Sequence, residues 1–341
     1  MAKPKSAAAG CYTQLMSKIA LIFGPIPYVT LCIGLALTAC DPVPDGEGTL
    51  VGSTARVMEL SPSSLLAPDA DRPLVTPRWT ASGVLLASGR QGRDLYRVDA
   101  VANRVELVHP DLRTGRHLFG APDGQRVAFF AGAADHAEVW EVDLDTGAVQ
   151  RLTSRPAFVP PTDRLSDGAA DAVALGRLGG QELLFEPLRG RLVRLAGNDG
   201  EQVIADAEAW GVALSPDGRF VAYCRGHLVD AHLFLAGADG ETIDLGAGVH
   251  PSWAFGGAAL VYSVPEVLTS AATGRRELVG AELHAYGVRQ GRRAQLTDTP
   301  GVTEMQSAVS PHSRQLVYAD WASGHIAVAD IVAPEGQGGE R

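Results

Sequence analysis

Short apolar runs, each following a turn of small and polar residues, recur along the chain. The turns end at residues 83, 124, 180, 218, 257 and 313, so they are 41, 56, 38, 39 and 56 residues apart. Short apolar runs bounded by Gly, Pro, Asp and Ser are typical of β-strands. The pattern predicts six repeats, and the strands that follow the turns are Val84–Ala87, Val127–Phe129, a degenerate copy ending at Phe185, Phe220–Tyr223, Ala259–Tyr262 and Leu316–Tyr318.

Each repeat continues with a further strand, and most with two. In the fourth repeat, Leu233–Ala236 precedes an Ala-Asp-Gly turn, and Glu241–Leu245 follows that turn. Another apolar run stands before each turn, which gives four strands per repeat. Four short antiparallel strands in a unit of roughly 40 residues indicate a β-propeller blade. The sequence therefore predicts an all-β, six-bladed propeller.

The best copy of the repeat runs from Ser215-Pro-Asp-Gly through Tyr223 and continues as Leu233–Gly240. It resembles the repeat of the TolB-like (WD-repeat-like) propellers, and the resemblance covers about residues 54–332. It implies a six-bladed propeller. The namesake protein of that family has a separate N-terminal domain without a counterpart here, so its partners are not transferred. Propellers of this kind serve as scaffolds, receptors and enzymes, and the resemblance alone selects none of these.

The last repeat lacks its fourth strand, because a Gly-rich stretch follows Ile331 and Val332. The run that remains unassigned is Thr54–Leu60. An unpaired strand edge would promote aggregation, and ring closure removes it. We expect Arg56–Leu60 to supply the outer strand of blade six.

The N-terminal 39 residues contain lysines but no Asp or Glu, and a mostly apolar run occupies Ile19–Ala39. The run ends in Leu37-Thr38-Ala39-Cys40, which resembles the lipobox of bacterial lipoproteins. The resemblance implies a signal peptide at 1–39, cleavage between Ala39 and Cys40, and diacylglyceration of Cys40, which would anchor the chain in an inner or outer membrane on its extracytoplasmic, periplasmic side. An ordinary signal peptide or anchor with an incidental Cys is the alternative.

The remaining chain divides into a tether at 40–53, the propeller at 54–333 and a disordered tail at 334–341. The formal net charge of −10 argues against a nucleic-acid partner, because no positive field would neutralise phosphates. The catalytic, metal and phosphate-binding motifs that we sought are absent, so the sequence predicts no cofactor, metal ligand or catalytic residue. Cys224 lies in a strand-like run and is interpreted as a small buried hydrophobic residue.

Two insertions interrupt the repeat spacing, at 154–167 and at 264–278. In a four-stranded antiparallel blade both insertions emerge at the same end of the ring. Elaborated loops on a rigid scaffold often carry binding sites, although neutral variation in length is the alternative. We therefore expect a binding or scaffold module for a protein, a peptide or an envelope polysaccharide. The alternative is a propeller enzyme, a polysaccharide lyase or hydrolase, with its site at the channel mouth.

The positions seven residues before each turn should form a ring around the channel at that same end. They are Thr76, His117, Val173, Gly211, His250 and Gln306. Blades two and five are opposite in a ring of six, so His117 and His250 should face each other, with Gln306 beside His250. Imidazole and amide groups can bind metals or act in acid–base chemistry. Polar residues that line a wet channel are the alternative interpretation.

Overall fold

A computed structural model describes residues 58–61, 63–66, 73–89, 92–110, 118–120, 124–131, 138–151, 172–187, 189–195 and 200–332. Several predicted features lie outside these residues, namely the signal peptide, Cys40, the tether, His117, the insertion at 154–167 and the tail. Among the described residues, no helix has the length and apolar character that crossing a membrane requires.

The described strands form six antiparallel sheets, and consecutive strands are neighbours within each sheet. This arrangement confirms the predicted six-bladed propeller with four strands per blade. We number the strands in chain order, and strands a to d run outward from the channel in each blade. Blade one comprises β3 (Leu74–Trp79), β4 (Leu85–Gly89), β5 (Arg93–Asp99) and β6 (Arg104–His109), blade two β7 (Leu118–Gly120), β8 (Arg126–Ala131), β9 (Glu138–Asp143) and β10 (Val149–Arg151), and blade three β11 (Val173–Leu178), β12 (Gln181–Glu186), β13 (Arg191–Leu195) and β14 (Glu201–Ala205).

The second half of the ring follows the same order. Blade four comprises β15 (Trp210–Leu214), β16 (Phe220–Arg225), β17 (His232–Gly237) and β18 (Thr242–Ala247), blade five β19 (Val249–Ala254), β20 (Ala259–Thr269), β21 (Arg276–Gly287) and β22 (Arg292–Gln295), and blade six β23 (Glu304–Val309), β24 (Gln315–Asp320) and β25 (His325–Val332) with β1 (Glu59–Leu60) and β2 (Ser64–Leu66). We call the end at which the a strands begin the loop face, and the end at which they turn into the b strands the turn face.

The Pro-Asp-Gly turn of blade four shows why this signature repeats. The Ser215 hydroxyl accepts the backbone N–H of Phe220 at 2.9 Å and donates to the Asp217 carboxylate at 2.6 Å. Gly218 has a φ of 65°, and a Cβ at this position would lie 2.5 Å from the carbonyl oxygen of Arg177 in blade three. The glycine is therefore required both by the left-handed backbone and by the close approach of the neighbouring blade.

The hydrophobic core lies between neighbouring blades. One cluster joins Leu233 of blade four, Leu260 of blade five and Met305 of blade six, all with an exposed fraction of 0%. Trp253 packs between blades, and its indole N–H donates to the Ala213 carbonyl oxygen at 2.9 Å. Because each blade buries both faces against its neighbours, the stability of the fold resides between blades, and the two ends of the ring are left for recognition.

The N-terminal segment closes blade six, which confirms the predicted closure by an N-terminal strand. Glu59 and Leu60 pair with Val332 and Ile331, and a second short strand, Ser64–Leu66, pairs with Val328–Ile326. The closing segment is thus interrupted and longer than the single run that was expected. Met58 and Leu66 are 2% and 7% exposed, so they anchor its two ends in the core.

Candidate functional site

The channel-lining a strands contain an irregularity at the predicted ring positions. The pairing of strands a and b shifts register after Val75, Trp210, Val249 and Met305, the residues that directly precede four of these positions. Thr76, Gly211, His250 and Gln306 have φ angles of 55°, 59°, 53° and 57°. Four blades therefore place a bulge with a left-handed residue at the same level of the channel. Blade three differs, since Val173 pairs regularly and its register shifts two residues later.

Left-handed backbone is disfavoured for residues other than glycine, and most strongly for β-branched ones such as Thr76. Such residues persist where the surrounding structure holds them in place. At Gly211 the neighbouring side chain also limits the space, since a Cβ there would lie 3.3 Å from the Cys224 sulfur. Cys224 is fully buried and unbonded to another cysteine, as the sequence predicted, and burial raises the pKa of its thiol to about 12.

Gln306 and His250 make different contacts at this level. The Gln306 side-chain oxygen accepts the backbone N–H of Thr76 at 2.8 Å, which links blade six to blade one. The half-buried His250 ring meets the Trp210 ring edge-on, with centroids 5.5 Å apart. His117 lies outside the described residues, so its position opposite His250 stays a prediction. Within the described ranges, no group of three or more His, Cys, Asp or Glu side chains is placed to hold a metal ion.

Two buried carboxyl groups meet near the loop face, between blades five and six. Glu304 and Glu282 are 0% and 7% exposed. Thr299 joins them, because its hydroxyl bonds to Glu304 at 2.9 Å and its backbone N–H donates to Glu282 at 2.9 Å. The Thr297 hydroxyl also bonds to Glu304. Burial raises the pKa of Glu304, and the two threonine hydroxyls partly counteract this effect. Glu282 and Glu304 thus hold the segment that connects blade five to blade six in place through Thr299.

A cavity of about 810 Å³ opens at the other end of the channel. It lies along the a strands of blades one to four and reaches their turns at the turn face. Its described lining includes three arginines, Arg78, Arg177 and Arg219, and the single carboxylate of Asp217. The aromatic side chains of Trp79 and Phe119 form part of its wall. Sequence reasoning missed this site, because the three arginines come from different repeats and no local motif contains them.

The insertion at 264–278 forms a β-hairpin on the loop face. It prolongs β20 and β21 to 11 and 12 residues, compared with 6 residues for each of β16 and β17 in blade four. Arg276 of the hairpin forms an ion pair with Asp230 of blade four. Leu268 and Val279 near the tip are 64% and 45% exposed. The insertion thus lies between the middle strands of blade five, as the spacing of the repeats predicted.

The class that this architecture defines is the six-bladed β-propeller, which is the fold that the resemblance of the repeats implied. No protein-family model matches the sequence, and no curated protein matches it. Among solved structures, the chain is similar to a gluconolactonase from Xanthomonas campestris, with a TM-score of 0.53, 15% identity and coverage of 84% of this chain and 98% of that one. It is also similar to the Swd1 β-propeller domain from Myceliophteria thermophila, with a TM-score of 0.52, 12% identity and coverage of 79% and 99%.

TolB from Acinetobacter baumannii matches with a TM-score of 0.48 and 19% identity, over 70% of this chain. The match spans 57% of the TolB chain. The similarities to the gluconolactonase and to the Swd1 domain describe a shared fold, and function has to be argued from the side chains at the two ends of the channel.

Proposed function

We propose that this chain is a lipid-anchored, extracytoplasmic binding module that holds a protein or peptide partner at its loop face. The propeller supplies a rigid scaffold, and the hairpin of blade five supplies the contact surface. An envelope polysaccharide is the other ligand class that the sequence suggested, and the two exposed apolar residues of the hairpin, Leu268 and Val279, favour a polypeptide.

The observation that carries the proposal is the unpaired ribbon at the end of blade five. Strand β19 pairs with β20 only as far as Ser263, and β22 pairs with β21 only from His284 onward. Among the described strands, none covers the outer edges of the ribbon at 264–269 and 276–280. Free strand edges bind extended peptides through backbone hydrogen bonds, and neighbouring apolar side chains add specificity.

The ribbon is also held in a fixed direction, which favours binding. The Arg276–Asp230 ion pair connects it to blade four, and eleven residue pairs from Ala259↔Gly287 to Thr269↔Arg276 join β20 and β21, whose ends form the ribbon. A preorganised strand loses less conformational entropy when it binds a partner. Two exposed apolar residues, Leu268 and Val279, lie on this fixed support.

Site-specific photo-crosslinking in the producing cell tests the binding proposal. A photoreactive residue at Leu268 or Val279 should yield a discrete protein adduct. Val101, which is 92% exposed in a turn of blade one, is the matched control and should yield none. The absence of adducts at both hairpin positions, or the same adducts at Val101, would contradict the proposal.

The anchor is proposed from the Leu37-Thr38-Ala39-Cys40 sequence and from the absence of acidic residues before it. Two or three acyl chains at Cys40 would provide stable membrane attachment, whereas a single chain gives only marginal binding. The wild type should incorporate a fatty-acid analogue and leave membranes only with detergent. The Cys40→Ala variant should incorporate none. Equal labelling of the two proteins would refute the anchor and leave the crosslinking test unaffected.

A further inference from the structure

The cavity at the turn face combines cationic side chains with unsatisfied donors. Arg78 lies in the a strand of blade one, is half-buried and lines the cavity wall. Its guanidinium has no hydrogen-bond or ion-pair partner within the part of the chain that the structure describes. Burial lowers the pKa of Arg78, and no carboxylate counteracts that effect. A partly buried guanidinium without a counter-anion is stabilised by an anion beside it, so this part of the cavity wall favours an anion.

Arg177 and Arg219 add two exposed guanidinium groups to the same cavity. Arg219 lies over the Phe220 ring at 5.6 Å from its centroid. Asp217 is the one carboxylate of the described lining, and its Oδ1 already accepts the Ser215 hydroxyl. Among the described lining residues three cations stand against one anion, in a chain whose formal net charge is −10. This local reversal of sign would attract anions to one end of the channel.

Trp79 contributes an aromatic ring to the cavity wall beside Arg78. Its indole N–H is buried and has no acceptor among the described residues. The corresponding Trp253 in blade five donates its indole N–H to the Ala213 carbonyl oxygen at 2.9 Å. The same donor position thus has an acceptor in the preceding blade for Trp253 and none among the described residues for Trp79, whose ring packs against the cluster between blades six and one.

We propose that this cavity binds a small molecule carrying two or more carboxylate or phosphate groups. Guanidinium groups pair with the oxygens of carboxylate and phosphate in a bidentate manner. A volume of about 810 Å³ lies within the range of small-molecule sites and accommodates more than one anionic group. Arg78, Arg177 and Arg219 pair with its anionic groups, and Trp79 and Phe119 provide an aromatic part of the wall. The site lies at the face opposite the hairpin and does not depend on a partner there.

Calorimetric titration of the full-length chain in detergent tests the proposal, with citrate and pyrophosphate as probes at constant ionic strength. Citrate represents a carboxylate ligand and pyrophosphate a phosphate ligand, and glucose is the neutral control. At least one of the two anions should bind and raise the thermal midpoint, and glucose should do neither. The anion that binds more tightly identifies the ligand chemistry.

Substitutions locate the binding. Arg78→Gln and Arg177→Gln should each weaken the bound anion at least ten-fold. Arg104→Gln removes the same charge from an exposed position in β6 outside the cavity and should leave affinity unchanged. Arg177 is exposed, so its variant should fold even if Arg78→Gln does not. The absence of binding by both anions, or unchanged affinity in the Arg177→Gln protein, would overturn the proposal, and crosslinking at the hairpin would be unaffected.

Discussion

Ring closure by the N-terminal segment can be tested within a single strand. Leu65 and Leu66 are adjacent in β2, and both pair with β25, opposite Ala327 and Ile326. Leu65 is 60% exposed, whereas Leu66 is 7% exposed and packs in the cluster that joins blades six and one. The two leucines share backbone environment and chemistry, so a comparison of their alanine variants isolates the contribution of burial at the seam.

The expected magnitude follows from these exposures. Truncation of a buried Leu to Ala costs about 2–5 kcal/mol, because transfer energy is lost and a cavity remains. An exposed substitution usually lies within about 0.5 kcal/mol of zero. For a domain of this size each kcal/mol shifts the thermal midpoint by about 2–4 °C, so Leu66→Ala should lower it by roughly 5–15 °C.

Thermal denaturation of the two variants, followed by circular dichroism, measures the difference directly. Leu65→Ala should unfold within about 2 °C of the wild type. Deletion of residues 52–60, which removes Met58 and β1, should likewise lower the midpoint by many degrees. Similar midpoints for the Leu65→Ala and Leu66→Ala proteins, or an unchanged midpoint after the deletion, would refute the closure of the ring by this segment.

Three further predictions follow from the described geometry. Gly218→Ala should destabilise the protein by more than about 2 kcal/mol, because the new methyl group would clash with the Arg177 carbonyl oxygen. Gly147 has a φ of 70° but no atom within 4 Å of the position that a Cβ would occupy, so Gly147→Ala should cost only about 1 kcal/mol. Equal urea midpoints for the two variants would contradict this prediction. Burial raises the pKa of Glu304, so the stability that its protonated form contributes is present below the ordinary pKa of a glutamate and is lost as the pH rises through the raised value. Between about pH 4 and pH 8 the thermal midpoint of the Glu304→Gln variant should therefore rise relative to that of the wild type. A difference between the two midpoints that does not change with pH would contradict the raised pKa. Burial raises the pKa of Cys224 to about 12, so its thiol should resist iodoacetamide at pH 8 in the native protein and react in urea, as peptide mapping of the modified residue would show.

The sequence predicted the features that depend on local chemistry. The Pro-Asp-Gly turn requires a particular backbone, so its copies identified the blades, and counting back from them reached the bulges at Thr76, Gly211, His250 and Gln306. The closing segment was found because one blade lacked a partner strand. These inferences succeed because a repeat imposes the same backbone on equivalent positions.

The cavity and the buried carboxyl pair could not be found in this way. Arg78, Arg177 and Arg219 occupy different repeats, and no spacing along the chain connects them. Glu282 and Glu304 meet because the connection after blade five folds back through Thr299. Their proximity is a property of the closed ring, since it arises only after neighbouring blades have packed. The sequence also could not show that the Gln306 amide oxygen accepts the backbone N–H of Thr76 across the seam.

The left-handed residues of the channel connect ring closure to recognition. Thr76, His250 and Gln306 each adopt a backbone that costs about 1–3 kcal/mol, which is a substantial part of the 5–15 kcal/mol that typically stabilises a domain. Packing between blades must hold them, and for Thr76 the contact that does so is the amide oxygen of Gln306 across the seam between blades six and one. The same seam is completed by the N-terminal segment on β25. Loss of the closing segment should therefore relax the channel at Thr76 and Gln306 before the other blades unfold. Because Arg78 lies only two residues beyond Thr76 in the same strand, the shape of the anion site depends on the residues that close the ring.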